Sequence, residues 1–442
     1  MRREGGNPQP ATEVDGMIMR EEGPMDTAAE AQGFRLSPQQ RRAWLLGRSG
    51  GRPLLARLEV AITGALDAAT LRGALHEATA RLEILRTVFH VPAGAEIPLQ
   101  SIGGPGVAWE ALPDGGAGER EAWWAAAAED PWDLAASPLV RAALVRTGPD
   151  AHRLLLALPT LLADAASLDL LVGEIAAACA EHAGGPDTPP PEMHYVEIAG
   201  WQNELLEGEQ TAEGRNFWAE RRLSRIPAAA VPGGGGKASG VLHGIDLALG
   251  GELAARLAVQ CGLLEVAPAS FLLAAWQVLL WRLGEQERML LGAGFDGRSY
   301  EGLEEAFGPL ARFVPLVAEV DGGVPFCDLV HRVEESLAEA HGWQEFFDWG
   351  AAGAAVGAGV PFLPVGFDGT PWPAPRSTGA LTFETVRREV DLDRFHLLLR
   401  ASDGPGGLQA GLWYDPGVLA PWQAARLAGQ LRTLLGDAVR RP

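Results

Sequence analysis

The stretch LLLALPTLLADAASLDLL, residues 154–171, decides how the chain is read. Its apolar run Leu154–Leu158 is long enough for a buried strand, and Pro159 ends the ladder because proline has no N–H to donate. From Leu168 the apolar positions Leu171, Val172, Ile175 and Cys179 recur at helical spacing until Gly184 and Gly185 close the helix. Thr160, Asp164 and Ser167 lie between strand and helix. A strand-to-helix turn carrying a carboxylate is a common place for chemistry. An Asp followed three residues later by a Ser is also what a helix cap alone produces. Both readings stand on this stretch.

Upstream, residues 131–150 read as a short connection and a strand turned at Gly148–Asp150 into the motif strand. Before them come a helix opened by Ser37 and Pro38, a strand at Leu58–Ile62, a helix from Ala68 to about Leu82, a strand at Thr87–Val91 and a Trp-rich helix, Arg120–Glu129. Downstream, the Pro-rich segment 184–192, GGPDTPPPE, is the best internal boundary. The second part repeats the mixed style, with helices at 195–206, 216–223, 251–261, 269–283, 326–341 and 420–438. Its strands are expected at 242–249, 288–295, 312–320, 381–390, 394–402 and 408–414. The predicted organisation is a disordered tail over 1–33, an N-terminal subdomain over 34–185 and a C-terminal one over 186–442.

Composition narrows the partners. With 36 basic against 57 acidic side chains, a formal charge of −21 disfavours nucleic acid and anionic membranes. Cys179, Cys261 and Cys327 are scattered and odd in number, which argues against a disulfide framework or zinc cluster and predicts a reducing, cytoplasmic setting. The longest apolar segment, residues 271–281, is interrupted by Gln277, so no membrane span is expected. The run 233–236, GGGG, lacks the following GKS or GKT of a phosphate loop and reads as a linker. The acidic residues Asp296, Glu301, Glu304 and Glu305 lack metal-ligand spacing and read as a solvated face. Trp123, Trp124 and Trp132 read as packing residues.

The order of several segments resembles one family. LSPQQRRAW (36–44), LEILRTVF (82–89), PWDLAASPLVRAAL (131–144), YVEIAGWQ (195–202), FWAERRL (217–223), GAGFDGR (292–298), FGPLARFVPL (307–316) and the closing run 407–435 are similar to motifs of the condensation domains of nonribosomal peptide synthetases. These belong to the chloramphenicol acetyltransferase-like superfamily. The resemblance implies two α/β subdomains arranged as a V with a central tunnel. It also implies donor and acceptor groups carried on the phosphopantetheine of acyl or peptidyl carrier proteins, with no cofactor bound covalently to the chain itself.

The family's active motif, HHxxxDG, aligns Pro159 and Thr160 with the two histidines, Asp164 with the aspartate and Ala165 with the glycine. A base in that role needs a lone pair and a pKa near neutrality, which imidazole has and a threonine hydroxyl lacks. His152 is no substitute, being roughly 26 Å away along an extended strand, and sequence does not place His341 or His396. The resemblance further implies that Asp164 pairs with Arg298, a geometry-setting contact between the halves; the other reading has Arg298 as a solvated turn residue paired with Asp296.

Four functions follow as expectations. One is a free-standing or excised condensation-type transferase of secondary-metabolite biosynthesis, forming amide or ester bonds by proximity at a His-less site around Thr160. A second is an inactive condensation-like module that docks carrier proteins or a tailoring enzyme. A third is a heterocyclization-like variant, because Asp164 and Ser167 reproduce half of that branch's DxxxxDxxS motif while Pro159 replaces its first Asp. The last, a CoA-dependent acyltransferase, is disfavoured by the missing histidine.

Overall fold

The computed structural model describes residues 33–182, 184–185, 192–208, 211–349 and 360–440. The expected tail, apart from Gly33, and the Ala/Gly run 351–359 lie outside these residues. The motif strand is β7 (Ala151–Pro159), seated between β2 (Leu55–Thr63) and β6 (Arg141–Gly148). Leu154 to Leu158 are all buried, which is why the run is continuously apolar instead of alternating. Leu154, Leu156 and Leu158 face the core made with helices α2 (Ala68–Arg81) and α4 (Ala165–His182), while α3 (Ala117–Glu129) packs against β7 with Trp124 buried. The guanidinium groups of Arg57 and Arg387 stand 5.0 and 4.1 Å from the Trp124 ring centroid, so this tryptophan serves packing and cation–π contact together.

The full first sheet runs β12 (Arg376–Thr378), β13 (Leu381–Val390), β2, β7, β6, β5 (Ala108–Ala111). The second runs β10 (Arg312–Glu319), β9 (Arg288–Phe295), β11 (Val365–Asp368), β14 (Leu397–Ser402), β15 (Gln409–Tyr414), β8 (His243–Asp246). A small third sheet holds β1 (Phe34–Arg35), β4 (Leu99–Ile102) and β3 (Thr87–His90). The second core lies around α8 (Pro268–Gly284), whose Phe271 to Gln277 are all buried, with α9 (Phe326–Trp343) and α10 (Pro421–Ala438) beside it. No single helix among the described residues is long and apolar enough to cross a membrane; α7 (Gly250–Leu264) and α8 meet the criteria only as a pair bent by 102°.

A cut at 185/186 does not separate the two cores. The ribbon β12–β13 extends the first sheet, with β13 antiparallel to β2 from Thr382↔Thr63 to Val390↔Ala56. Phe383 on that ribbon is 1% exposed inside the first core. Helix α5 (Tyr195–Glu207) contributes Tyr195, Ile198 and Ala199 to the same core. The β9–β10 turn adds Leu303, Phe307 and Leu310. The first half leaves apolar surface uncovered that only later segments bury, and a boundary drawn on proline content does not register that. Phe383→Ala is therefore expected to destabilise the first half by about 3–5 kcal/mol, as for a core aromatic, read by denaturant unfolding followed by far-UV circular dichroism.

Candidate active site and its anchor

The strand ends where proline requires. Beyond it Thr160 donates its N–H to the Leu54 carbonyl at 2.9 Å, and its hydroxyl donates to the same oxygen at 3.2 Å. Asp164 then caps α4, its Oδ1 accepting from the Ser167 N–H at 2.8 Å and the Ser167 hydroxyl at 2.7 Å. The same carboxylate is the centre of a larger cluster. Arg298 grips it with both terminal nitrogens, at 2.9 Å to Oδ2 and 3.1 Å to Oδ1. The N–H groups of Leu310 and Ala311 donate to Oδ2 at 2.9 and 2.8 Å. Asp164 is fully buried and the Arg298 side chain is 4% exposed.

Cap and staple are thus one arrangement. Arg298 also donates to the carbonyl of Asp296 at 3.0 Å, and to that of Ala306, so its bond with Asp296 coexists with the pair across the halves. Burial alone would raise the Asp164 pKa, but the Arg298 charge, its hydrogen bonds and the backbone donors outweigh it and hold the carboxyl below its usual range. Burial would likewise lower Arg298, and Asp164 overrides it.

The turn that carries Arg298 depends on Gly308. At φ +139° this residue sits where a Cβ would meet the Tyr195 ring at 2.0 Å. Its N–H donates to the Ser167 hydroxyl at 3.0 Å. Tyr195 shares a bond with Ser37 Oγ at 2.7 Å, and Ser37 caps α1 (Pro38–Gly50) through the Gln40 N–H. Gln40 in turn donates to the carbonyl of Leu161 in the motif loop at 3.0 Å. The opening signature, the motif and the β9–β10 turn are therefore one hydrogen-bonded block.

Thr160 itself is 1% exposed and lines a cleft of about 60 Å³ between α1, the 309–313 segment and the loop before β14. That is far below the roughly 300 Å³ or more of a small-molecule pocket. Arg42 crosses it, making a two-point ion pair with Asp393 at 3.0 and 2.8 Å, donating to the Pro361 carbonyl at 2.6 Å and lying 4.2 Å from the Trp349 ring centroid. Arg312 pairs with Glu345 at the other wall. Ser167 Oγ is fully buried among Asp164, Arg298 and Gly308 and does not line the cleft. The histidines are elsewhere. His341 is exposed beside Ser299, His396 packs on Phe362 with its pKa pushed down by burial, and His152 sits at the opposite end of β7. Sequence reading did not find the Arg42–Asp393 clamp, because partners 351 residues apart leave no local pattern.

A condensation-domain profile matches residues 30–346. The chain belongs to the condensation domain family. Tyrocidine synthase 3 of Brevibacillus parabrevis is 27% identical over 71% of this chain, which spans 5% of that protein's length. Among solved structures, the X-domain from teicoplanin biosynthesis superposes with a TM-score of 0.78 at 25% identity, covering 93% of this chain and 96% of that one. The same X-domain in complex with OxyB gives 0.76 at 24% identity over 92% and 94%. The condensation domain of the monacolin K polyketide synthase MokA gives 0.81 at 20% identity over 92% and 98%. These likenesses match the two-sheet condensation fold over more than nine-tenths of the chain.

Removing Arg298 leaves an unpaired buried carboxylate, and Arg298→Ala is expected to cost about 3–5 kcal/mol at pH 7. The sign with pH follows from the depressed Asp164 pKa. In the native protein its contribution is complete above the unfolded value of about 3.9 and lost as pH falls through the lower folded value. In Arg298→Ala the Leu310, Ala311 and Ser167 donors remain, but the guanidinium no longer offsets burial and the pKa rises, so protonation relieves the variant. The gap in melting temperature between the two proteins should narrow from pH 7 to pH 5, read by differential scanning calorimetry.

Proposed function

We propose that this condensation-family domain no longer forms peptide bonds and acts as a docking module, binding carrier proteins of nonribosomal peptide synthesis or a tailoring enzyme that works on carrier-bound peptides. The observation that carries this reading is the cleft beside Thr160. The position aligned with the family's base is a threonine whose proton is directed at the Leu54 carbonyl, and the Arg42–Asp393–Trp349 cluster occupies the cleft beside it. Neither feature suits deprotonation of an amine or passage of a thioester. The fold is nevertheless fully braced by the Asp164 cluster, which fits a surface retained for binding after chemistry is lost. The teicoplanin X-domain, of the same fold, has been solved with OxyB bound, and that precedent supports a recruitment role.

The heterocyclization reading has less support, since Ser167 is occupied in the anchor and Pro159 stands at the first Asp position. For carrier binding, the chain's −21 charge is relieved near the cleft by Arg52 and Arg394, the neighbouring Arg42 being neutralised by Asp393. Burial pushes the Arg394 pKa down; Asp393 opposes this, and Arg52 and Arg42 add to the fall, so the cationic groups are close enough to act on one another. Such a local cluster suits acidic carriers and the phosphate of their arms.

The test mixes the purified domain with donor- and acceptor-loaded carriers, follows products by mass spectrometry and measures carrier affinity by calorimetry. No product above the carrier-only control is expected, together with carrier binding that Arg52→Glu weakens about fivefold or more and Thr160→Ala leaves unchanged. Turnover by the native domain would overturn the loss of chemistry, and an absence of binding to carriers and tailoring enzymes alike would overturn the docking role.

A further inference from the structure

A second cavity, of about 420 Å³, opens at the outer edge of the second sheet. It is lined by the Pro315–Glu319 part of β10, by the face of α9 that carries Leu329 and Val333, and by Gln277 of α8. Arg312 and Phe313, nearer the start of the same strand, line the Thr160 cleft instead. The groove is thus a separate feature and does not depend on the docking role proposed above. Its volume falls in the range of functional pockets, about 300–1,000 Å³.

Three features specify what it accepts. Gln277 is 2% exposed, yet among the described residues its amide makes no hydrogen bond and its polar atoms open into the groove. An amide with no protein partner, set at the base of a groove, is free to pair with a ligand group able to donate or accept there. The walls, Leu316, Leu329 and Val333, are apolar and buried. At the rim Arg288 pairs with Glu319 at 2.8 Å and Arg221 with Glu339 at 2.8 Å, and Glu220, Arg332 and Glu335 complete a lining of mixed sign, so the mouth favours no strongly charged ligand.

The backbone supplies the third feature. β10 is the last strand of its sheet, antiparallel to β9. The Val320 N–H donates to Glu287 at 2.9 Å, and alternation along an antiparallel ladder turns the N–H groups of Val317 and Glu319 away from β9. Pro315 has no N–H, so pairing along this edge is confined to the stretch beside the groove.

We infer that this groove is a peptide-binding site: an extended segment of a partner protein pairs with β10 at Val317 and Glu319 and inserts one tyrosine side chain between β10 and α9. The ring lies against Leu316, Leu329 and Val333, and the phenol meets the Gln277 amide. Strand addition gives affinity through main-chain bonds, and the pocket gives specificity through the inserted residue. Tyrosine fits because it joins an apolar body to a neutral hydrogen-bonding tip.

The test selects a phage-displayed library of random heptapeptides on the intact protein and measures synthesised winners by fluorescence anisotropy. Winners should carry a tyrosine whose replacement by phenylalanine weakens binding about tenfold. Gln277→Leu removes the unpaired amide and should keep the native melting temperature. It should bind the tyrosine peptide about tenfold more weakly and no longer distinguish it from the phenylalanine peptide. Val333→Trp, which fills the groove, should abolish binding of both. Bound peptide should slow hydrogen exchange at Val317 and Glu319. Failure to enrich any peptide, or winners indifferent to both variants, would overturn the assignment. So would protection of those two amides that grows with protein concentration in the absence of peptide, which would give the groove to a second copy of the chain.

Discussion

One buried carboxylate holds this protein together. Asp164 accepts from its own helix, from Arg298 and from the backbone of Leu310 and Ala311, so a single side chain fixes the start of α4, the β9–β10 turn and the entry to β10. In a dry site an ion pair is worth keeping only when its remaining hydrogen-bonding positions are filled, and here they are. The neighbouring block of Ser37, Gln40 and Tyr195 uses the same turn as its third wall. Two sheets with separate cores are thereby held in a fixed relation at the place where their loops converge.

That rigidity extends to the cleft beside Thr160. Here the support is complete, and the interior carries polar pairs of its own, Arg42 with Asp393 and Arg312 with Glu345. Burial pushes the Glu345 pKa up while Arg312 opposes it, so the second pair sits in a medium poor in water. An interior so filled favours one stable shape.

Much of this was legible in the chain, and the part that was not has a physical reason. The run Leu154–Leu158, the proline after it and the Asp–Ser spacing report local requirements of a buried strand and a capped helix, so residue types alone reveal them. Arg298 was reachable through its place in a motif series. The strand Val365–Asp368 was missed because four residues among prolines give no periodicity, although β9 and β14 pair with it on both sides. The Arg42–Asp393 clamp and the burial of Phe383 in the first core are contacts between distant segments. Gln277 looked like an interruption in a greasy helix; only the groove beneath the β10 edge gives that amide a meaning.

The ribbon β12–β13 also constrains how the protein is made. β2 finishes at Thr63, but the strand that covers its outer edge ends at Val390, so a ribosome must add more than three hundred residues before the first sheet is closed. Throughout that interval a nine-residue strand presents the unpaired backbone of one edge, the exposure that favours wrong pairing in crowded surroundings. Closure must wait for long-range contacts, which are slow to form because loop entropy is lost first. Truncation anywhere before residue 390 should accordingly yield chains retained by chaperones, and the natural fold is committed only late in synthesis.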